Sequence, residues 1–323
     1  MRENTLSACP LCAERVPDRV EEELPWGYIW DALRREWGTE IAAEERARHE
    51  ASGPVRRVRC PRCGLDYFAG AAAGSGDFYA ALEAGGRYYE STRWEFGWTA
   101  SRLPKGATVL DVGCGRGDFL ALARDAGASV RGAEHNPVAR EAATRRGFDV
   151  TGADLKTLSS EGLRVDVATA FHVVEHVTDP VGFVRDLVSC VREGGEVVIS
   201  VPFRDRTWRD AFEVLEHPPH HLSWWGLPQL ARLADAAALR WVEHAFEPLA
   251  RDVHRHAVEK SLQRKVIDLI PVAGSALGAA VGWGVSRALF APGVAQLVDA
   301  ANLRARLGAK GLAVVVRLRR EPR

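Results

Sequence analysis

Residues 107–127 read ATVLDVGCGRGDFLALARDAG, and this stretch constrains the fold more than any other part of the chain. Val109, Leu110 and Val112 form an apolar run without alternation, which is typical of a strand covered on both faces. After Asp118 the apolar residues change to helical spacing. Glycines between the two elements allow a sharp turn and close approach of the backbone to a ligand. The order strand, glycine turn, helix predicts an α/β sheet of the doubly wound type.

The glycine turn does not suit a phosphate-bearing ligand. A dinucleotide fingerprint with Gly113 and Gly115 as its first glycines would require a third at position 118, where this chain has Asp118. A carboxylate at the start of a helix repels the pyrophosphate that would otherwise bind there. With Asp111 as a second acid, the turn favours a ligand that is positively charged and lacks phosphate. S-adenosylmethionine has both properties, and a nicotinamide oxidoreductase is the less favoured alternative.

Two further acids end the next predicted strands. The stretch SVRGAEH places Glu134 at the end of a predicted strand, where a carboxylate can accept hydrogen bonds from vicinal ribose hydroxyls. The stretch FDVTGADL places Asp154 at the end of the following predicted strand, where its carboxylate can accept a hydrogen bond from an adenine amino group. Because the ends of successive parallel strands meet at one edge of a sheet, these acids are expected to face one ligand.

The segments VLDVGCGRGDFL, AEHNP, GADL and FHVVEHVTDP, in this order, resemble class I S-adenosylmethionine-dependent methyltransferases over about residues 90–250, with a last strand near 312–320. CGLDYFAG and YYESTRWEF resemble the zinc-ribbon-headed members, which include sugar and natural-product methyltransferases. The resemblance implies a Rossmann-like seven-stranded methyltransferase sheet and SN2 transfer of a methyl group to an aligned acceptor. The expected cofactor-binding residues are Asp111, Gly113, Cys114, Gly115, Glu134, His135, Asp154, Leu155 and Phe171.

Four of the six cysteines form two C-P-x-C turns, namely Cys9 with Cys12 and Cys60 with Cys63. This spacing lets four thiolates meet one tetrahedral Zn²⁺, which would be structural because no position stays open. The two turns are farther apart than the roughly 15 to 20 residues of a usual ribbon. A mostly helical insertion over residues 21–50 explains the distance. The alternative is four unligated thiols.

The sequence FHVVEHVTDP contains His172, Glu175 and His176 in the pattern H-x-x-E-H. A zinc peptidase would need all three on one helix, whereas here a predicted strand runs into a loop. Ubiquinone-biosynthesis O-methyltransferases carry E-x-x-E-H at this place, reported to bind a divalent cation. Here His172 replaces the first acid, and imidazole prefers softer ions than an oxygen site holds. The favoured interpretation is a structural tie at the strand end, with a metal site or a substrate-facing base as alternatives.

The acceptor side is expected in residues 203–230, which carry several histidines and tryptophans. His220 or His221 could remove a proton from a hydroxyl or amine acceptor, or could only support the following helix. Trp208, Trp224 and Trp225 would provide an apolar wall for a ring, or belong to the core. The candidate catalytic residues are His172, His220 and His221.

Residues 269–286, LIPVAGSALGAAVGWGVS, carry no charge, and Gly274, Gly278 and Gly282 lie on one helical face. Such spacing lets another helix approach closely, in lipid or in a soluble dimer. The favoured interpretation is a buried or homodimer-forming helix. Peripheral membrane contact or contact with a lipid substrate is the second interpretation, and a true span, which would split the sheet, is the last.

Length and charge complete the expectations. The 323 residues divide into a zinc-ribbon-like module (1–77), a helical cap (78–105) and a methyltransferase domain (106–323) with a hydrophobic insertion at about 250–308. Lys plus Arg and Asp plus Glu both number 43, so no overall electrostatic field favours binding to nucleic acid.

The chain begins without a secretory signal, which predicts a cytoplasmic protein with reduced thiols. The expected function is methylation of a small-molecule acceptor, hydrophobic or carrier-bound, and the rival is an RNA-binding methyltransferase.

Overall fold

The computed structural model describes residues 8–84, 88, 93–206, 212–248 and 312–322. Their strands form two sheets, one of seven strands and one of four. The hydrophobic stretch 269–286 lies outside the described residues, so the predictions that involve it stay predictions. Among the helices described, none combines the length and apolar content needed to cross a bilayer.

The N-terminal module contains three strands and two helices between and around the cysteine pairs. They are β1 (Val20–Leu24), α1 (Trp26–Ala32), α2 (Ala43–Glu50), β2 (Val55–Arg59) and β3 (Asp66–Ala69), and a π-helical turn, Leu33–Trp37, extends α1. The apolar spacing of three and four gives α1 one buried face, with Ile29 and the stacked rings of Trp26 and Trp30 on it. Two cap helices follow, α3 (Gly76–Ala84) and α4 (Trp94–Ala100).

The remaining described residues alternate between strands and helices. The strands are β4 (Thr108–Val112), β5 (Ser129–Ala133), β6 (Val150–Thr151), β7 (Val165–Phe171), β8 (Val191–Pro202), β9 (Ser223–Trp224), β10 (Leu239–Phe246) and β11 (Ala313–Arg320). The helices are α5 (Asp118–Asp125), α6 (Pro137–Arg145), α7 (Leu155–Ser160), α8 (Pro180–Ser189) and α9 (Leu227–Ala236).

The large sheet has the order β10-β11-β8-β7-β4-β5-β6, and β11 runs antiparallel to both of its neighbours. Its central strands β4, β7 and β8 are buried almost throughout, because their apolar runs are covered on both faces. The predicted Rossmann-like seven-stranded sheet is thus confirmed. The carboxyl ends of the parallel strands open on one side, where ligands of such sheets bind.

The small sheet joins the module to the rest of the chain. Its order is β1-β2-β3-β9, so its last strand comes from residues 223–224, far along the sequence. Gln229 Nε2 donates to the Cys63 carbonyl at 2.9 Å, and Arg204 Nη1 donates to the Gly64 carbonyl at 2.8 Å. The second cysteine turn is therefore held directly by α9 and by the residues that follow β8.

Candidate functional site

A cavity of about 1330 Å³ lies at the carboxyl ends of β4, β5 and β7. Its walls include every residue predicted to bind the cofactor: Asp111, Gly113, Cys114, Gly115, Glu134, His135, Asp154, Leu155 and Phe171. They also include the three predicted catalytic residues, His172, His220 and His221. The structure therefore brings these residues together, while the role of each one stays a prediction.

The glycine turn after β4 forms the floor of the cofactor half. Gly113 has a φ of +72°, and a Cβ there would lie 2.7 Å from the Val173 side chain, so a larger residue would strain the turn and clash. The Gly113 amide donates to the Ala133 carbonyl at 2.8 Å. This bond holds the turn against the end of β5.

Glu134 connects the turn to the next strand end. One carboxylate oxygen accepts from the Gly115 amide at 2.9 Å, and the other accepts from the Asn136 amide at 2.7 Å. Each oxygen has a further lone pair that can accept from a ribose hydroxyl. Asn136 also donates to Glu83 of α3 at 2.8 Å, so the cap helix is tied to the same corner. Glu83 lies far upstream of this corner, and no motif in the sequence predicted its role.

Asp111 is the most buried acid of the cofactor half, with 2% of its surface exposed. Burial raises the pKa of its carboxyl to about 7, against the lowering effect of the Thr169 hydroxyl, which donates to it at 2.6 Å. The nearby charge of Glu134 raises the pKa further. Near neutral pH this carboxyl is therefore partly protonated, and a positively charged ligand would favour its ionised form.

Asp118 is not a free negative charge. Its carboxylate lies 2.8 Å from Arg146 Nη1, at the end of α6. This pairing reduces the repulsion of phosphate that the sequence predicted for Asp118. The absence of a glycine at position 118 still departs from the dinucleotide fingerprint.

The predicted adenine end lies beyond β6. The side chain of Asp154 caps α7 by accepting from the Thr157 amide at 2.7 Å, and this backbone bond lowers its pKa. Its second oxygen is left for a ligand donor. Leu155 and Phe171 are buried and provide apolar surface in the same cavity.

His172 follows the last residue of β7 and has a φ of +54°. It does not lie on a helix with Glu175 and His176, which form a short 3₁₀ turn, and this agrees with the rejection of a peptidase site. Its Nε2 lies 2.9 Å from Glu95 of α4, and its Nδ1 lies 3.3 Å from Glu175. Burial alone would lower the pKa of His172, but the two carboxylates raise it to about 9. The charged ring thus ties the strand end to the cap.

Three other imidazoles, those of His176, His220 and His221, form what we call the histidine cluster. One ring nitrogen from each lies within 4.8 Å of the others. The rings of His220 and His221 are stacked, with centroids 4.4 Å apart, and His176 meets His220 edge-on at 4.6 Å. Burial lowers the pKa of His176 to about 4 and that of His220 well below its usual value. Both rings are therefore weak proton acceptors at neutral pH.

Aromatic rings cover the acceptor half of the cavity. Trp37, Tyr79 and Tyr88 line it, and the Tyr88 hydroxyl lies 2.8 Å from His220 Nε2. These residues come from the module and the cap, and sequence analysis did not predict them. The predicted tryptophan wall is different: Trp225 is fully buried, Trp224 packs on Phe68 of β3, and neither lines the cavity. Trp208 lies outside the described residues.

The four N-terminal cysteines converge away from this cavity. The Cys9 and Cys63 sulfurs lie 3.5 Å apart, as do those of Cys12 and Cys60, and all four lie within 4.8 Å. Zinc-bound sulfurs sit about 3.8 Å apart, given a Zn–S distance of about 2.3 Å in a tetrahedron. The donor set and its spacing therefore fit a closed Zn²⁺ site.

The sheet, the glycine turn and the strand-end acids around one cavity match the Rossmann-like methyltransferase fold that the sequence resemblance implied. Comparison with known families agrees, since residues 93–244 match the family described as "Methyltransferase domain". The chain thus carries a methyltransferase domain, as the sequence resemblance implied.

Two sequence relatives and one solved structure illustrate the comparison. The ubiquinone biosynthesis O-methyltransferase of Ralstonia nicotianae is 32% identical over 116 residues, which cover 33% of this chain and 49% of that protein. The 2-methyl-6-phytyl-1,4-hydroquinone methyltransferase of Synechocystis sp. is 33% identical over 150 residues, covering 45% of this chain and 43% of that protein. The crystal structure of an Archaeoglobus fulgidus SAM-dependent methyltransferase matches with a TM-score of 0.48 at 17% identity, covering 75% of this chain and 99% of that one. The similarity thus spans about half or less of the length of the two sequence relatives.

Proposed function

We propose that the chain transfers the methyl group of S-adenosylmethionine to a small-molecule acceptor that carries a ring with an ionisable hydroxyl. The observation that carries this proposal is the continuity of the cavity, from the glycine turn and Glu134 to a half lined by Trp37 and Tyr79. The flat rings of that half suit a hydrophobic aromatic acceptor. The names of the two sequence relatives, which refer to ubiquinone biosynthesis and to a phytyl hydroquinone, support the same class.

In the proposed reaction the acceptor oxygen forms a bond to the methyl carbon while the bond from that carbon to sulfur breaks. S-adenosylmethionine supplies the activated methyl group. Gly113 and Gly115 would hold its methionine part, Glu134 its ribose and Asp154 its adenine. The contribution of the chain is to align the two reactants and to exclude water. The acceptor proton would pass to His221, because His176 and His220 are weak proton acceptors.

The four cysteines would hold one structural Zn²⁺, with no part in the reaction. A role of the module in RNA binding is less well supported, because its basic residues are largely paired. Arg56 lies 2.8 Å from Glu23, Arg57 lies 3.2 Å from Glu22, and Arg59 lies 3.1 Å from Asp66. Paired arginines leave little net positive charge for a phosphate backbone.

The test is a transfer assay with S-adenosylmethionine labelled on its methyl group. The acceptors are hydroquinones and catechols with short or long apolar chains, and a pool of cellular RNA at low salt. We expect label on the aromatic acceptors, with a lower KM for longer chains, and none on RNA. Transfer to RNA alone, with all phenolic acceptors unlabelled, would support the rival function instead.

A second expectation concerns protons at Asp111. Since its pKa is about 7 in the free protein, binding of the positively charged S-adenosylmethionine should release up to about half a proton at pH 7. S-adenosylhomocysteine lacks the sulfonium charge and is the matched control, so it should release less. Calorimetry in buffers of different ionisation enthalpy measures both values. Equal proton release for the two ligands, or release that persists in Asp111→Asn, would contradict the assignment.

A further inference from the structure

The histidine cluster has features that the proposed methyl transfer does not require. His176 ends the 3₁₀ turn after β7, whereas His220 and His221 precede β9. The chain thus brings two separate segments together and packs three imidazoles against each other on the cavity wall. One ligand placed between the three rings would contact all of them.

Backbone carbonyls fix the orientation of two of the rings. His176 Nδ1 lies 2.6 Å from the His220 carbonyl, and His220 Nδ1 lies 2.7 Å from the Leu215 carbonyl. Because a carbonyl only accepts, each Nδ1 carries the hydrogen and each Nε2 carries a lone pair. Histidines that bind metals usually donate their other ring nitrogen to a carbonyl in this way. At His220 the Tyr88 hydroxyl donates to the lone pair, and a cation would take the place of that proton.

A second observation comes from groups buried beside the cluster. The Glu175 side chain is 1% exposed; His172 Nδ1 lies 3.3 Å from one of its oxygens, but neither oxygen accepts a well-aligned hydrogen bond from any described residue. One of these oxygens lies 3.9 Å from His221 Nε2. His221 Nδ1 is also buried and has no hydrogen-bond partner within the described part of the chain. The His172 charge offsets only part of the cost of burying this carboxylate, and a cation on the histidine cluster beside it would lower that cost further.

We infer that the histidine cluster, with Glu175 beside it, is a binding site for a divalent first-row transition-metal cation. Imidazole nitrogens select Zn²⁺, Ni²⁺, Co²⁺ or Cu²⁺ over Mg²⁺ and Ca²⁺, which prefer oxygen ligands. His172 is not part of this set, because its two nitrogens face Glu95 and Glu175. The ligands are therefore not the three residues of the H-x-x-E-H pattern.

Because the histidine cluster lies on the cavity wall, a cation bound there would be within reach of the acceptor. Three protein nitrogens leave a coordination position open to the cavity, as in catalytic metal sites. An acceptor hydroxyl bound there would have a lower pKa and would lose its proton more readily. This consequence rests on the proposed function, whereas cation binding itself can be measured without any acceptor.

The experiment uses the full chain, purified without a polyhistidine tag and loaded with zinc. Ni²⁺ is then added, the protein is dialysed, and both metals are counted by mass spectrometry. We expect one bound Ni²⁺ per chain in the wild type, almost none in His176→Ala and His221→Gln, and one in the control His244→Ala, which changes an exposed histidine outside the cavity. The affinity for S-adenosylhomocysteine checks that each variant is folded.

X-ray absorption at the nickel edge of the wild type decides the matter even where a variant fails to fold. A shell of nitrogen and oxygen ligands is expected, because the sulfur ligands belong to the cysteine site. The inference is overturned by wild-type protein that retains no Ni²⁺, by sulfur ligation of the nickel, or by undiminished binding in folded His176→Ala and His221→Gln. Binding of Ni²⁺ together with failure of every methyl-transfer assay would leave the metal site standing and remove the proposed function.

Discussion

Replacement of Glu134 by alanine is expected to weaken the binding of S-adenosylhomocysteine by about 10- to 150-fold, which corresponds to about 1.5 to 3 kcal/mol for lost charge-assisted hydrogen bonds. Two effects combine in this loss. The ribose loses a carboxylate acceptor, and the Gly115 and Asn136 amides lose the partner that holds the glycine turn at 2.9 and 2.7 Å. Calorimetric titration of the purified variant measures the change.

Two controls separate these effects. Glu134→Gln keeps one amide acceptor but has no charge, so an intermediate loss is expected. Glu141→Ala removes an exposed acid of α6 that pairs with Arg145 at the surface, and it should leave the affinity unchanged. Wild-type affinity in Glu134→Ala would show that the cofactor does not use this strand end.

The cofactor half was predictable because its determinants are local. The apolar run before Gly113, the glycines themselves and the acids Glu134 and Asp154 each follow a strand, and parallel strands bring their carboxyl ends to one edge. Sequence order alone therefore placed these residues in one cavity. The same logic placed His172 at the end of a strand and not on a helix.

The acceptor half was not predictable to the same degree, because its contacts join residues far apart in the sequence. Glu95 of the cap pairs with His172, Tyr88 reaches His220, and Trp37 of the module lines the cavity. No periodicity or spacing in the sequence indicates that such residues lie side by side. For the same reason the sequence did not reveal that Arg146 neutralises Asp118.

The tryptophans show how one pattern can serve two purposes. Trp224 and Trp225 follow the histidines, and a wall for the acceptor and a place in the core were both consistent with that position. In the structure β9 pairs with β3, so that Trp224 packs on Phe68, while Trp225, which follows the strand, is fully buried, and neither ring lines the cavity. A two-residue strand that completes a distant sheet has no signature in the sequence.

Loss of zinc should affect the acceptor half more than the cofactor half. The reason is that the module containing the cysteine site also supports part of the cavity wall. In α2, Arg48 donates to the Ala73 carbonyl at 2.9 Å, and Glu45 accepts from the Ser75 amide at 2.9 Å. The loop held by these bonds lines the cavity with Ala73 and Gly74, next to Trp37. Glu134 and the glycine turn, by contrast, are held at the ends of β4 and β5, through the bonds from the Gly115 amide to Glu134 and from the Gly113 amide to the Ala133 carbonyl.

The expected result for Cys60→Ser is therefore a loss of bound zinc, a large fall in melting temperature and little remaining methyl transfer, with a much smaller change in S-adenosylhomocysteine affinity. Structural zinc sites in small peptides contribute about 10 to 16 kcal/mol of apparent binding free energy, so the module should not keep its fold without the ion. Metal analysis, thermal melting and calorimetry on one preparation give the three values. Cys190→Ser is the matched control, because this buried thiol lies outside the cysteine site and its replacement should leave the zinc content unchanged. A zinc-free Cys60→Ser protein that methylates its acceptor at the wild-type rate would contradict a role of the module in shaping the acceptor half.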